Sequence, residues 1–259
     1  MTEVTLPRPE TTDESYFDAG AALAALEAGE PVAFPPFDLV HWGGFCWCLN
    51  YRRDPVQSAL RQGRFYEEGQ LAVLKRHLRG GAHVIDIGAN IGNHSIWFAR
   101  RAGAARVVVA EPNPLALAPL MANVLVNGLR EVIDLTRIGV GLSDEAAAGL
   151  RMKRHDRNLG ATRMFPEGGD LRVVRGDDLF ATERPDLIKI DVEGMEMKVL
   201  SGLESIVSDH RPLLFVEVDA ANEGAFADWC ASRDYGAERL AATSDHGSNW
   251  LATCRRSGG

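Results

Sequence analysis

The distribution of apolar and polar residues divides most of the chain into alternating strand-like and helix-like segments. Five short runs are apolar on both faces, as expected for parallel strands that helices cover on both sides: residues 84–87, 107–110, 133–138, 187–190 and 213–218. Helices are predicted to begin near Asn93, Pro114, Met195 and Glu223. Residues 172–174 and 249–254 are further candidate strands. This alternation predicts an α/β fold with right-handed crossovers and a doubly wound, mostly parallel sheet.

The pattern before residue 65 is different. About the first fifteen residues are polar without periodicity, which predicts a disordered start. Residues 18–28 are rich in alanine and leucine and end at Gly29, which predicts a helix. Two β-prone runs flank Gly43 and Gly44 and predict an aromatic hairpin. We therefore predict an N-terminal extension, residues 1–64, acting as a lid or in dimerisation, and a main domain, residues 65–259.

Composition excludes several classes of protein. The 259 residues carry a formal net charge of −8, which argues against nucleic acid as a partner. No apolar run approaches the roughly 20 residues needed to span a bilayer, and the polar, acidic N-terminus does not resemble a secretory signal. The four cysteines are expected to be reduced core thiols. These features predict a cytoplasmic protein.

A glycine turn follows the first predicted strand in the stretch VIDIGANIGNHS, residues 84–95. It has Gly88 and Gly92 but no G-x-G and no following Gly-Lys-Ser/Thr, so it matches neither a dinucleotide nor a P-loop fingerprint. Asp86, in the strand, would repel a phosphate but would suit a cationic group. S-adenosylmethionine carries an ammonium, a sulfonium and a carboxylate, and its carboxylate could bind backbone amides at the helix N-terminus.

A second acid supports this interpretation of the turn. Glu111 ends the second predicted strand, 19 positions after Gly92, near the spacing of about 20 for an acid that binds ribose hydroxyls. Pro112 and Pro114 then suit a turn and the first position of a helix.

The stretch IKIDVEGME, residues 188–196, places polar residues on an otherwise apolar strand. Lys189 and Asp191 share one face of that strand, and Glu193 and Glu196 follow at the turn and the start of the next helix. A lysine in a central strand needs a buried partner, which Asp191 or Glu217 could supply.

Four segments together resemble the FkbM-type family of S-adenosylmethionine-dependent methyltransferases: IDIGANIGNHS, AEPNP, the helix ending in NVLVNG, and LIKIDVEGMEMKVLSGL. The resemblance covers about residues 65–217. It implies a Rossmann-like class I methyltransferase fold, with a seven-stranded sheet and an antiparallel hairpin at its C-terminal end. It also implies O-methylation, commonly of sugar or polyketide hydroxyls.

The resemblance assigns cofactor-binding residues position by position. The methionine side would be lined by Asp86, Gly88, Asn90, Gly92 and Asn93, the ribose by Glu111 with Pro112 and Asn113 at its turn, and the adenine by Gly141, Leu142 and Ser143. Tyr66 and Glu67 or Glu68, with Glu68 preferred, fall where the family has an aromatic residue and a glutamate that close over the cofactor. An ordinary helix cap is the alternative there.

Transfer to a hydroxyl requires a group that accepts its proton. Asp191 and Glu193 are the first candidates for the general base, Lys189 would position the acceptor or tune these acids, and His94 and His155 are reserves. A magnesium ion held by Asp191 and Glu217 is an alternative. Because the fifth strand has no D-D-N-like cluster, metal independence is favoured.

The acceptor is predicted to be a small molecule or glycan. Trp42, Phe45 and Trp47 of the hairpin and the basic segment 151–165 are candidates for its recognition, and a homodimer is an option. Three alternatives stay open: a macrolide hydroxyl or N-methylated acceptor, a dehydrogenase with an atypical nucleotide turn, and a non-catalytic scaffold that binds S-adenosylmethionine.

Overall fold

The computed structural model describes residues 17–152, 162–166, 168–242 and 247–255. The predicted disordered start and the central part of the basic segment, including His155, lie outside the described residues. Within these ranges, no helix is both long and apolar enough to cross a membrane.

The helices and strands follow the alternation that the sequence predicts. The helices are α1 (Ala19–Ala28), α2 (Pro55–Arg61), α3 (Glu68–His77), α4 (Asn93–Trp97), α5 (Pro114–Val126), α6 (Gly176–Leu179), α7 (Glu196–Gly202), α8 (Glu204–His210) and α9 (Glu223–Ser232). The strands are β1 (Asp38–Trp42), β2 (Phe45–Leu49), β3 (His83–Ile87), β4 (Arg106–Ala110), β5 (Ile133–Asp134), β6 (Val140–Ser143), β7 (Ala147–Met152), β8 (Met164–Phe165), β9 (Leu171–Arg175), β10 (Leu187–Ile190), β11 (Leu213–Asp219), β12 (Tyr235–Ala242) and β13 (Gly247–Cys254). A π-helical turn, Phe98–Ala102, extends α4.

The main sheet has seven strands in the order β12-β13-β11-β10-β3-β4-β5. Strands β3, β4, β5, β10 and β11 are parallel, whereas β13 and β12 are antiparallel to their neighbours. The predicted mostly parallel, seven-stranded sheet with a C-terminal antiparallel pair is therefore confirmed. The ends of β3, β4 and β10 lie side by side, so the segments that follow them meet at one edge.

Each face of this sheet packs against its own apolar core. Alternate residues of one strand face opposite sides: Val107 and Val109 of β4 join one core, and Val108 and Ala110 join the other. The first core also holds the hairpin β1–β2 through Trp47, which is fully buried. Burial on both faces explains why these strands are apolar without alternation.

The N-terminal elements have the ends that the sequence predicts. The Asp18 carboxylate accepts a hydrogen bond from the backbone N–H of Ala21 and caps α1, and Gly29 ends this helix at φ +73°. The hairpin turns at Gly43 and Gly44, both at positive φ. Helix α2 was not predicted, although Asp54 before Pro55 is a typical helix start, and Asp54 does cap it.

The predicted strand 133–138 is too long. It ends at Asp134, because the Asp134 side chain accepts hydrogen bonds from the backbone N–H and the hydroxyl of Thr136, at 2.8 and 2.6 Å, and forms a turn. The predicted strand at 172–174 exists, but it belongs to a separate four-stranded sheet, β6-β9-β7-β8, beside the main one.

Candidate functional site

The glycine turn after β3 lies directly against the backbone that follows β10. A Cβ atom at Gly88 would lie 1.8 Å from the carbonyl oxygen of Asp191, and Gly88 has φ +78°. The backbone N–H of Asp191 also donates to the carbonyl of Ile87, at 3.0 Å. A side chain at position 88 is therefore excluded both by space and by conformation.

Glu111 closes this turn from the side of β4. Its two carboxylate oxygens accept hydrogen bonds from the backbone N–H groups of Asn90 and Asn113, both at 2.7 Å, and it is 5% exposed. Burial raises the pKa of Glu111 to about 7, although both hydrogen bonds oppose the shift. The acid that the sequence assigned to a ribose thus holds the two turns together.

Asp86 lies behind the turn rather than on its open side. It is fully buried; one carboxylate oxygen accepts a hydrogen bond from the Ser95 hydroxyl at 2.6 Å, and the other lies 3.2 Å from the Lys189 ammonium. The two charged residues face each other in the parallel register of β3 and β10. The Asp86 carboxylate, which the sequence analysis assigned to a cationic ligand group, is therefore paired with Lys189 inside the protein.

Lys189 joins this pair to the edge of the sheet. The residue is 2% exposed, and its ammonium donates to the carbonyl of Gly88 at 2.6 Å and lies 3.3 Å from the carboxylate of Asp191. Burial alone would lower the pKa of Lys189, but Asp86 and Asp191 outweigh it and raise the pKa above its ordinary value. Lys189 is therefore held as a cation between two carboxylates.

The turn after β10 is held in a strained conformation. Glu193 and Gly194 have φ of +51° and +97°. The carboxylate of Glu196, 1% exposed, accepts hydrogen bonds from the Gly194 N–H and from the Asn222 side chain, both at 2.7 Å. Burial, reinforced by Asp191, raises the pKa of Glu193 to about 8, while Arg163 opposes the shift. The turn thus presents a carboxyl group of unusually high basicity.

A cleft of about 590 Å³, counted to its open mouth, lies between these turns. Nine of the predicted residues line it: Gly88, Asn90, Glu111, Pro112, Asn113, Gly141, Leu142, Asp191 and Glu193. The other predicted residues, Tyr66, Glu68, Asp86, Gly92, Asn93, Ser143 and Lys189, are not part of its lining.

One end of the cleft is apolar and rich in sulfur. Met152 and Met164, from β7 and β8, line it together with Leu142, and a Cβ atom at Gly141 would lie 3.0 Å from the Met164 sulfur. Both methionines lie in the segment 151–165, which the sequence analysis singled out for its basic residues and for the acceptor rather than for its methionines.

The segment before α3 contacts the far side of the glycine turn. The backbone N–H and C=O of Tyr66 both bind the side-chain amide of Asn93, at 3.1 and 3.3 Å. Glu67, at φ +58°, accepts from the Asn249 amide at 2.7 Å and lies 3.2 Å from a ring nitrogen of His94. Glu68 is exposed in the first turn of α3, so Glu67 is the acid of this segment that joins the buried network.

Asn90 and Ser143 differ in whether their side chains are already hydrogen-bonded within the protein. The side-chain oxygen of Asn90 is buried without a hydrogen-bond partner among the described residues. The buried Ser143 hydroxyl donates to Asp144, at 2.8 Å. Within the described ranges, no group of three or more His, Cys, Asp or Glu side chains is placed to hold a metal ion.

Sequence reasoning missed the residues that support the site. Ser95, Asn222 and Glu196 hold Asp86 and the Glu193–Gly194 turn. Ser95 ends the polar run of residues 93–95 and was not singled out by the sequence. Glu196 was equally explained by the favourable interaction of an acid with the helix dipole. Nothing in the sequence indicated Asn222.

Comparison with known proteins gives one family match. The family described as Methyltransferase FkbM domain matches residues 86–238. Among curated proteins, AMB antimetabolite synthetase AmbE of Pseudomonas aeruginosa is 31% identical over 189 residues, covering 56% of this chain and 9% of that protein. Methyltransferase sdnD of Sordaria araneosa is 26% identical over 166 residues, covering 49% of this chain and 62% of that protein. The alignments therefore span less than two thirds of either relative.

Two solved structures show distant similarity. The crystal structure of Methyltransferase FkbM from Methylobacillus flagellatus KT is matched with a TM-score of 0.49 and 17% identity, over 96% of this chain and 73% of that one. M. capricolum TrmK, in complex with S-adenosyl-homocysteine, is matched with a TM-score of 0.45 and 12% identity, over 72% of this chain and 68% of that one.

Proposed function

The chain belongs to the FkbM methyltransferase family, and from this premise we propose that it transfers a methyl group from S-adenosylmethionine to a hydroxyl of a sugar, glycan or secondary metabolite. The observation that carries the proposal is the cleft itself. Glu111 closes one wall at the end of β4, and Asp191 and Glu193 stand on another after the end of β10; β3 lies between these two strands.

The residues of the cleft fit S-adenosylmethionine. Gly88 lines the cleft, and because it has no side chain, the backbone that follows β10 packs directly against the glycine turn. The unpartnered oxygen of Asn90 could accept a hydrogen bond from it. We assign the ribose to Glu111 with Pro112 and Asn113, and the adenine to the apolar end with Gly141 and Leu142.

The charges of the site favour Asp191 as the acid that faces the cofactor's ammonium. Asp86 and Asp191 carry two negative charges and Lys189 one positive charge, so the group is left with one net negative charge. Asp191, whose side chain is 28% exposed, is the member that lines the cleft. We therefore assign the ammonium contact to Asp191 and a positioning role to Asp86, acting through Lys189.

Glu193 is the group best suited to accept the acceptor's proton. When bound, S-adenosylmethionine supplies a methyl group on a sulfonium centre, and correct alignment can contribute about 7–11 kcal/mol to such a reaction. A base is most effective when its pKa lies near the working pH, and the pKa of Glu193 is about 8. The hydroxyl proton would pass to the Glu193 carboxylate as the oxygen bonds to the methyl carbon, and the methyl–sulfur bond would break to leave S-adenosylhomocysteine. Lys189, held as a cation, cannot serve as that base.

The test combines binding and turnover. Calorimetric titration with S-adenosylhomocysteine should show binding that Glu111→Ala weakens markedly. Incubation with S-adenosylmethionine and nucleotide sugars, oligosaccharides or macrolides, with EDTA or magnesium, should show transfer to a hydroxyl. Binding of nicotinamide dinucleotide in place of S-adenosylhomocysteine would contradict the proposal. Binding without transfer to any acceptor would favour the non-catalytic scaffold.

A further inference from the structure

One edge of β2 pairs with β1, and its other edge faces helix α5 instead of a strand. Asn123 of α5 and Asn127, the residue that caps the end of α5, satisfy that edge. The backbone N–H of Cys46 donates to Asn127 at 3.1 Å, and Asn127 donates back to the Cys46 carbonyl at 2.7 Å. The N–H of Cys48 donates to Asn123 at 2.6 Å. An unpaired buried backbone group costs about 1–3 kcal/mol. The two asparagine side chains avoid this cost, because they form the hydrogen bonds that a third strand would form with β2.

The distance between the two asparagines along the helix axis is close to the distance between Cys46 and Cys48 along β2. Four residues along a helix rise about 6.0 Å, and two residues along an antiparallel strand rise about 6.8 Å. Asn123 and Asn127, one helical turn apart, therefore meet Cys46 and Cys48, the two backbone positions on the same strand edge.

Asn123 makes a second contact that Asn127 does not make. Its amide nitrogen donates to the carbonyl of Ile91, at 2.9 Å, in the middle of the glycine turn. Asn127 instead donates to the carbonyl of Asn123 within α5, at 2.8 Å. Asn123 is fully buried, so the contact has no competition from solvent.

Helix α5 contacts the turn at a second point as well. Leu120, one turn before Asn123, lies so close that a Cβ atom at Gly92 would be 3.0 Å from its side chain. Ile91 lies between Gly92 and Asn90, and the N–H of Asn90 donates to Glu111. A shift of Ile91 would therefore move a cleft-lining residue and loosen its bond to Glu111.

We propose that the hairpin β1–β2 is a structural part of the cofactor site, and that Asn123 is the positioning residue that couples β2 to the glycine turn. The inference rests on the proposed function, since it requires the turn to hold S-adenosylmethionine. This supporting role is separate from the lid or dimerisation role predicted for the extension 1–64, which stays a prediction.

Asn123→Ala and Asn127→Ala form a matched pair for the test. Each removes an anchor of β2, but only Asn123→Ala also removes the bond to Ile91. The affinity for S-adenosylhomocysteine is measured by calorimetry, well below the unfolding transition of both variants, and stability is measured by urea denaturation. Asn123→Ala should weaken binding by about tenfold, equivalent to about 1.4 kcal/mol, and Asn127→Ala by less than about twofold, although both are destabilised.

If the Asn123→Ala variant does not fold, hydrogen exchange measured on the unaltered chain tests the same coupling. Coupling between two sites is reciprocal, so S-adenosylhomocysteine should slow hydrogen exchange of the Cys48 amide more than that of the Cys46 amide. Equal effects of the two variants on affinity, or no selective protection of Cys48, would overturn the inference. If the unaltered chain does not bind S-adenosylhomocysteine, the proposed function fails, and the inference fails with it.

Discussion

Removing the negative charge of Asp191 tests the assignment of the cofactor's ammonium. Asp191→Asn retains the shape of the side chain and the backbone contact with Ile87, and it removes the one net negative charge of the Asp86–Lys189–Asp191 group. If Asp191 binds the ammonium, affinity for ligands that carry an amino-acid tail should fall.

The expected magnitude follows from burial and from the neighbouring cation. A hydrogen bond to a charged group contributes about 1.5–3 kcal/mol, which corresponds to roughly 10- to 160-fold in affinity. The side chain of Asp191 is 28% exposed and lies 3.3 Å from the Lys189 ammonium, so solvent and an existing partner both weaken its pull on a ligand. We therefore expect a loss near the lower limit, about tenfold.

The assay compares two ligands by calorimetric titration. S-adenosylhomocysteine carries the amino-acid tail, whereas 5′-methylthioadenosine lacks it and should bind the variant and the unaltered protein alike. Asp219→Asn is the matched control, because it removes the same charge at the end of β11, where Asp219 pairs with Arg163 at 2.8 Å.

Two results would refute this reasoning. If Asp191→Asn weakened both ligands equally, its effect would be on the fold of the cleft and not on the ammonium. If it left S-adenosylhomocysteine affinity unchanged, the charge of Asp191 would have no part in cofactor binding, and Asp86 would again be the candidate.

Three further predictions concern the same turns. Lys189→Met should lower the free energy of unfolding, measured by urea denaturation, by about 3–5 kcal/mol, because the Asp86 carboxylate is left buried without its partner. Adding Asp86→Asn should recover most of that loss. A double variant no more stable than Lys189→Met would contradict the ion pair. Gly88→Ala should lose roughly 2–5 kcal/mol from positive φ and from overlap with the Asp191 carbonyl, and unchanged thermal stability would contradict that close approach. Glu193→Gln should abolish methyl transfer yet retain cofactor affinity. The transfer rate of the unaltered enzyme should rise as the pH passes about 8, because only the ionised carboxyl of Glu193 accepts a proton. A transfer rate that falls over that pH range would exclude Glu193 as the base.

Much of the fold could be predicted from the sequence, because strands and helices are indicated by patterns of residues that are close together in the chain. The central strands are apolar without alternation, and their limits agree with the predicted ones to within a residue or two at β3, β4, β10 and β11. The error at β5 arose because a side-chain hydrogen bond of Asp134 overrode an apolar pattern. The smaller sheet was not predicted, although its strand β9 was, since the pairing of β6 with β9 depends on contacts between segments distant in sequence.

The sequence by itself determined the identity of the turns: two glycines after the first predicted strand of the sheet, an acid 19 residues after the second glycine, and Asp191 and Glu193 after the fourth predicted strand. It could not determine which charge faces the ligand. Asp86 and Lys189 are separated by more than a hundred residues, and they become neighbours only because β3 and β10 adjoin in parallel register. Strand order and register are properties of the whole sheet, so the tertiary structure alone decided that Asp86 is neutralised inside and that Asp191 reaches the cleft.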